Sequence, residues 1–249
     1  MKSRLTGIFV AVGLMTGSAQ AAEIKVLAVG AFMETFKELV PEFEKATGHK
    51  VAADYAASPQ LMKQIEGGAP FDLAILQDTA VNDPVNQKFF AAGARPTLSS
   101  VGLGAAVKAG APKPDIGSVD AFKQTLIKAK SVTIQPESAN GQHFLAVFQK
   151  LGIGDDMKPK LKLVKAPTEA ALAVANGEAE MALFLSNLLI GVRGVDYLGP
   201  VPAEFQQQFV FVAAVGANAK EPEAAKALIQ RLTTPAAAAV MKKNGMQAP

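Results

Sequence analysis

Short apolar runs alternate along the chain with segments in which apolar residues return every three or four positions. Glu23 to Ala28, Val51 to Ala56 and Asp72 to Leu76 read as strands buried in a sheet. Phe32, Phe36, Leu39, Val40 and Phe43 fall on one face of a helix, which Pro41 should kink or split and Gly48 should end. After the second strand the chain turns at Ala57-Ser58. There Ser58 suits an N-cap and Pro59 the first helical position, where its missing N–H would be unpaired anyway. Leu61 and Ile65 give that short helix one apolar side, and Gly67-Gly68 ends it.

The small apolar stretch Leu98 to Lys108 predicts one long strand crossing to a second lobe. Ser118 precedes a helix with Phe122 and Leu126 four apart. Ser131 to Gln135 is a strand, followed by the polar turn Pro136 to Gly141. Phe144, Val147, Phe148 and Leu151 mark one face of the next helix. Leu161 to Val164 and Met181 to Leu185 read as strands on either side of an alanine-rich helix that Thr168 caps and Asn176-Gly177 ends. Phe209 to Val215 predicts the return strand. An amphipathic helix over Glu221 to Leu232 and a last helix restarted at Thr234-Pro235 follow. Alternating strands and helices of this length imply an α/β fold with right-handed crossovers. The layout is two lobes, residues 22–100 with 212–249 and residues 101–211, with a ligand cleft between them. Ligands of open α/β sheets bind beyond the carboxyl ends of the strands, so helix starts after strands are the places to look.

Composition narrows the function classes. Residues 1–21 read as a cleavable secretory leader: Lys2 and Arg4, an apolar run from Ile8 to Met15, and Ala19-Gln20-Ala21 as a small-x-small site. Without Lys2 and Arg4 the 25 basic residues fall to 23 against 22 acidic ones, so the basic balance owes much to the leader and is no sign of nucleic-acid binding. With no cysteine, an exported chain must be held by its core rather than by disulfides. Two distant histidines and no cysteine argue against a zinc site, and no cofactor is expected. The chain has no Gly-x-Ser-x-Gly elbow and no phosphate loop, and Gly102-Leu103-Gly104 lacks the third glycine of a dinucleotide fingerprint. Asp72 reads as support for the turn after Pro70, Asp78 as a helix cap, and Glu34 as a partner of the first helix dipole.

Lys63-Gln64-Ile65-Glu66-Gly67-Gly68-Ala69-Pro70 followed by Asp72-Leu73 resembles the periplasmic molybdate-binding proteins of ABC importers. So do Val26 to Phe32, Glu42 to Val51, Gln149 to Ile153 and Asn176 to Glu180, so the likeness spans the mature chain and is weaker in the second lobe. It implies the two-lobed periplasmic-binding-protein fold of type II. It also implies a monomeric receptor that captures a small anion, molybdate or tungstate, and docks on a membrane permease. The family holds its oxyanion with two first-lobe serines, backbone N–H groups from two second-lobe turns and often a tyrosine. Ser58 matches the second serine, whereas the first falls on Ala31. The turns fall at Asn140-Gly141 and at Pro167-Thr168, and the tyrosine position falls on Leu185 beside Ser186. The resemblance therefore implies Ala31, Ser58, Asn140, Gly141, Thr168 and Ser186 as ligand-binding residues.

Three departures, Ala31, Pro167 and Leu185, change the expected chemistry. A hydrogen bond to a charged group contributes about 1.5–3 kcal/mol, so two lost hydroxyls without replacement weaken binding by hundreds-fold or more, roughly. Gln142, His143, Asn187 and Arg193 are candidates for a remodelled pocket, and an arginine would favour an organic carboxylate. Arg193 reads more readily as a solvated loop charge, and His143 reads equally as a helix-face residue. An exported enzyme on the same fold is a third reading, with Ser58 and His143 as the one nucleophile–base candidate.

Overall fold

Two five-stranded sheets carry the chain, with helices packed over them. The structure, a computed structural model, describes residues 21–247 and Pro249. The expected leader thus lies outside the described residues but for Ala21. The first lobe opens with β1 (Glu23–Val29), a 3-10 turn over Gly30–Phe32, α1 (Met33–Thr47), β2 (Lys50–Ala56), α2 (Ser58–Glu66), β3 (Leu73–Gln77), α3 (Asp78–Asn82) and β4 (Thr97–Val101). The second holds β5 (Leu103–Lys108), α4 (Val119–Lys128), β6 (Val132–Ile134), α5 (Ala139–Lys150) and α6 (Gly154–Met157). It continues with β7 (Leu161–Leu163), α7 (Glu169–Ala175), β8 (Met181–Leu185) and β9 (Val195–Pro200). β10 (Phe209–Val215) then returns to the first sheet, followed by α8 (Pro222–Leu232) and α9 (Pro235–Lys243), which pack on α1.

The two sheets share one plan. The first is ordered β2-β1-β3-β10-β4 and the second β7-β6-β8-β5-β9. β1 lies parallel between β2 and β3, as β6 lies parallel between β7 and β8. The first strand after each crossing, β5 or β10, is inserted antiparallel. Parallel strands end at one edge, so the chain segments leaving β1, β2 and β3 are brought together, as are those leaving β6 and β8.

Several expectations change at this level. The stretch from Leu98 to Lys108 is two strands, because Gly102 breaks it and each half joins a different sheet; both halves are apolar, so the pattern alone does not separate them. The Gly102 carbonyl accepts from the Ser186 N–H at 2.9 Å and from its hydroxyl at 3.0 Å. The Gln206 side chain bonds both the N–H and the carbonyl of Leu103, tying the two crossing segments together. α1 runs unbroken through Pro41, which is exposed; the carbonyl freed one turn back, on exposed Lys37, opens to water. Gly48 ends that helix as expected, at φ +77° with its N–H on the Glu44 carbonyl. β9 has no counterpart in the sequence reading: it is a half-buried edge strand of mixed residues.

Ser58 does not cap its helix. α2 begins at Ser58 itself, after Ala57, whose N–H bonds the Gln60 side chain. Asp78 is likewise the first residue of α3, with Gln77 in the cap position. Thr168 stands at the cap of α7 without a side-chain bond; Glu169 ties that turn instead, accepting from the Lys165 and Ala166 N–H groups at 2.7 and 3.1 Å. These bonds hold the Glu169 carboxyl below its ordinary range. Asp72 is an anchor within the first lobe rather than a turn residue. Only 3 % exposed, its carboxylate accepts from Lys25, Lys220 and Glu221 N–H groups at 2.7–2.9 Å, joining β1, β3 and the start of α8.

Candidate functional site

A small cavity lies where the parallel strands of both sheets end. From the first lobe it is lined by Val29 at the end of β1, Gly30 and Ala31 after it, Ala57 and Ser58 after β2, and Gln77 at the end of β3. Register sets this meeting: Val29 pairs with Ala56 and Ala28 with Ile75, so the three turns leave the sheet at one level. From the second lobe come Gln135 beyond β6, Ser138 to Asn140 at the start of α5, Pro167 before α7, and Phe184 and Leu185 at the end of β8. The space open to centres of water-sized spheres is about 30 Å³, the scale of two or three waters. None of the described residues lining it carries an ionisable side chain.

Its chemistry is that of neutral donors. Ser58 is 4 % exposed, and its Oγ accepts from the Gln77 N–H at 3.1 Å. No hydrogen bond donated by the Ser58 hydroxyl is found among the described residues. Asn140 is 5 % exposed; its Nδ2 meets no partner among the described residues. Its Oδ1 lies 2.7 Å from the Ser138 hydroxyl, which lies 2.7 Å from the Gln135 carbonyl as well and accepts from the Gly141 N–H at 3.1 Å. One hydroxyl proton serves only one of the two acceptors. Turned over, the amide donates to Ser138 and shows its oxygen instead, so Asn140 can read either an oxyanion or a ligand hydroxyl. Ser58, Ala139 and Asn140 also lie in the first turns of α2 and α5, where backbone N–H groups lack intrahelical acceptors and the helix dipoles favour negative charge.

The lobes touch directly beside this cavity. A Cβ on Gly30 would lie 2.5 Å from both Cβ and Cγ of Pro167, so the two residues are in tight contact across the cleft.

Of the residues expected at the site, Ala31, Ser58 and Asn140 meet there, together with Pro167 and Leu185. The others stand elsewhere. The Gly141 N–H is engaged by Ser138, and Gly141 itself serves close packing, since a Cβ there would be 1.8 Å from the Gln135 carbonyl oxygen. Ser186 turns its hydroxyl to Gly102 at the crossing. Thr168 lines a separate groove between the lobes, with Glu34, Asn187 and Lys243. Glu34 is exposed and paired with Lys37 at 2.6 Å, so it presents no carboxylate to the cavity. Arg193 is exposed and lines no part of the cavity. The His143 ring lies 2.7 Å from the Phe205 carbonyl within the second lobe, away from the cavity that holds Ser58, so the two do not form a nucleophile–base pair. Sequence reasoning missed Gln77, Gln135 and Ser138. A polar residue at the end of a buried strand, as Gln77 and Gln135 both are, was the available signal.

Comparison with known proteins agrees with this fold. The family model described as bacterial extracellular solute-binding protein matches residues 24–247. An aconitate isomerase from Pseudomonas sp. is 32 % identical over 232 residues, covering 90 % of this chain and 87 % of that protein. The molybdate-binding protein ModA of Azotobacter vinelandii is 29 % identical over 244 residues, covering 94 % and 93 %. The solved periplasmic molybdate-binding protein of Azotobacter vinelandii superposes with a TM-score of 0.76 at 22 % identity, over 91 % of this chain and 99 % of that one, which shows the shared two-lobed fold. Matched along nearly its whole described length, the chain belongs to the bacterial extracellular solute-binding proteins.

Proposed function

We propose that this protein captures a small tetrahedral oxyanion of the molybdate or tungstate type in the periplasm, after removal of its leader, and delivers it as a monomer to an ABC permease without catalysing a reaction. One observation carries the reading: a small cavity between the lobes whose polar side chains are all uncharged and come from both lobes. A bare anion taken out of water must be compensated by hydrogen bonds. Helix N-termini, the Ser58 hydroxyl and the Asn140 amide supply them without a cation. Organic di- or tricarboxylates are larger and favour the bidentate grip of arginine, which this cavity lacks.

A second reading is an organic-acid receptor. Two observations favour it: the identity to the Pseudomonas aconitate isomerase, and an Asn140 amide that can accept from a ligand hydroxyl when turned over. The test is a thermal-shift panel on the mature protein, stripped of ligand by unfolding and refolding. It sets molybdate, tungstate, sulfate and phosphate against small carboxylates including aconitate, and an isomerisation assay on aconitate runs alongside. Ligand at 100 times its dissociation constant adds about 2.7 kcal/mol of stability. A shift with molybdate and tungstate, and no turnover, is the expected result. A shift with carboxylates alone moves the assignment to the second reading, and turnover of aconitate overturns the non-catalytic one.

A further inference from the structure

Asn187 sits in the 3-10 turn Ser186–Leu188 that follows β8, in the second lobe, and is 9 % exposed. Its Nδ2 donates to the carbonyl of Ala31, in the first lobe, at 2.9 Å across 156 residues of sequence. The partner can only accept, so the orientation of this amide is fixed, and its Oδ1 is left buried with no donor among the described residues. First-lobe backbone also approaches closely: a Cβ on Gly245 would lie 3.2 Å from the Asn187 Cα. Ser186, the preceding residue, is held to Gly102 at the crossing between lobes. Asn187 is therefore anchored on the hinge side and reaches over the cleft to the turn that follows β1.

We propose that Asn187 is a positioning residue that clasps the lobes shut through the Ala31 backbone, independently of which ligand is bound. Ala31 offers no side-chain donor to the cavity, and its carbonyl is instead gripped from the opposite lobe. That grip orients the turn Gly30–Phe32, which forms the first-lobe wall of the cavity, and sets Gly30 against Pro167. A lobe rotation that parts Gly30 from Pro167 must break the Asn187 bond or carry the turn with it. The clasp thus contributes to closure before any ligand arrives, and adds the same amount to the affinity of every ligand that needs the closed form.

The chain has no cysteine, so a pair introduced on exposed positions, Glu66→Cys on α2 and Ala146→Cys on α5, carries spin labels that report the lobe separation. The ligand-free protein is measured in that background with Asn187, with Asn187→Ala and with Asn187→Asp, and affinities are measured across the ligand panel. Asn187→Ala is expected to lengthen the mean separation and to weaken every ligand by one common factor of about five- to tenfold. Asn187→Asp places a carboxylate against the Ala31 carbonyl and should open the cleft further. An unchanged separation in both variants overturns the proposal, as does a changed ranking among ligands, which would make Asn187 a direct ligand contact. A lowered melting temperature with unchanged separation would make it a static pin and overturns the proposal as well. The proposal rests on the receptor reading only for its affinity readout. If no panel ligand binds, that reading fails while the label separation still decides the clasp.

Discussion

Gly30→Ala tests lobe closure with a single methyl group. Gly30 is not among the glycines of positive φ, so its backbone accepts alanine without strain. The added Cβ would stand 2.5 Å from two carbons of Pro167, where carbon–carbon contact is about 3.5–4.0 Å. Pro167 is buried and its ring is rigid, so the second-lobe turn must retreat by about 1 Å or more at that point. A hydrogen bond of ordinary length stretched by about that much passes the limit of useful geometry. The second-lobe donors, Asn140 Nδ2 and the first turn of α5, then leave the ligand while Ser58 keeps it. Two lost bonds to an anion, at about 1.5–3 kcal/mol each, weaken binding by roughly 10²- to 10⁴-fold. Titration calorimetry with the tightest ligand of the panel measures the change, and the ligand-free melting temperature should stay near that of the unmodified protein. Adding Pro167→Gly removes the atoms struck by the methyl and should restore most of the affinity. Binding by Gly30→Ala within twofold of the parent would refute the closed-cleft reasoning.

Other perturbations separate ligand contacts from scaffold. Ser58→Ala removes the proposed donor to the ligand and the acceptor of the Gln77 N–H, and calorimetry should show affinity reduced by roughly ten- to a hundredfold. Asn140→Asp puts a carboxylate at the buried amide and should abolish binding of a dianion; retained binding would mean a protonated or hydroxyl-bearing ligand. Asp72→Asn weakens the hold on three backbone N–H groups, so denaturant unfolding should lose about 2–4 kcal/mol with ligand affinity unchanged. Burial, aided by the charge of Glu34, pushes the Tyr55 phenol up to about 12. The folded state thus holds that proton more tightly than the unfolded chain, whose phenol titrates near about 10. Its contribution is fully present below about pH 10 and is lost as pH rises toward about 12, so stability should fall across that window and Tyr55→Phe should flatten the fall.

The two-lobed fold, and the place of Ala31 and Ser58 on the cavity wall, were legible because their signals are local. Parallel strands with glycine-ended helices repeat through residues 23–77, and Ser58 opens a helix one residue beyond a strand end. What escaped depends on pairing across the chain. Whether Leu98 to Lys108 is one strand or two is decided by β10 and β8, each binding a different half. The fates of Ser186 and Asn187 were likewise invisible. They are adjacent polar residues after a buried strand, yet one turns to Gly102 and the other to Ala31. His143 and Arg193 carry the residue types of binding sites, and only the packing of α5 on Phe205 and the exposure of the loop after β8 remove them. Asn140 shows the converse. Its side chain was read as an addition to a backbone site, whereas burial leaves its Nδ2 without a partner among the described residues.

Tungsten scatters X-rays anomalously, so a crystal grown with tungstate locates the ion without reference to the shape of the pocket. One strong anomalous peak is expected between the lobes, within hydrogen-bond reach of Ser58 Oγ and Asn140 Nδ2, with Gly30 still packed on Pro167. A peak elsewhere, or a cavity that stays empty of tungsten while a carboxylate fills it, would contradict the claim that this uncharged cavity is built for a small oxyanion.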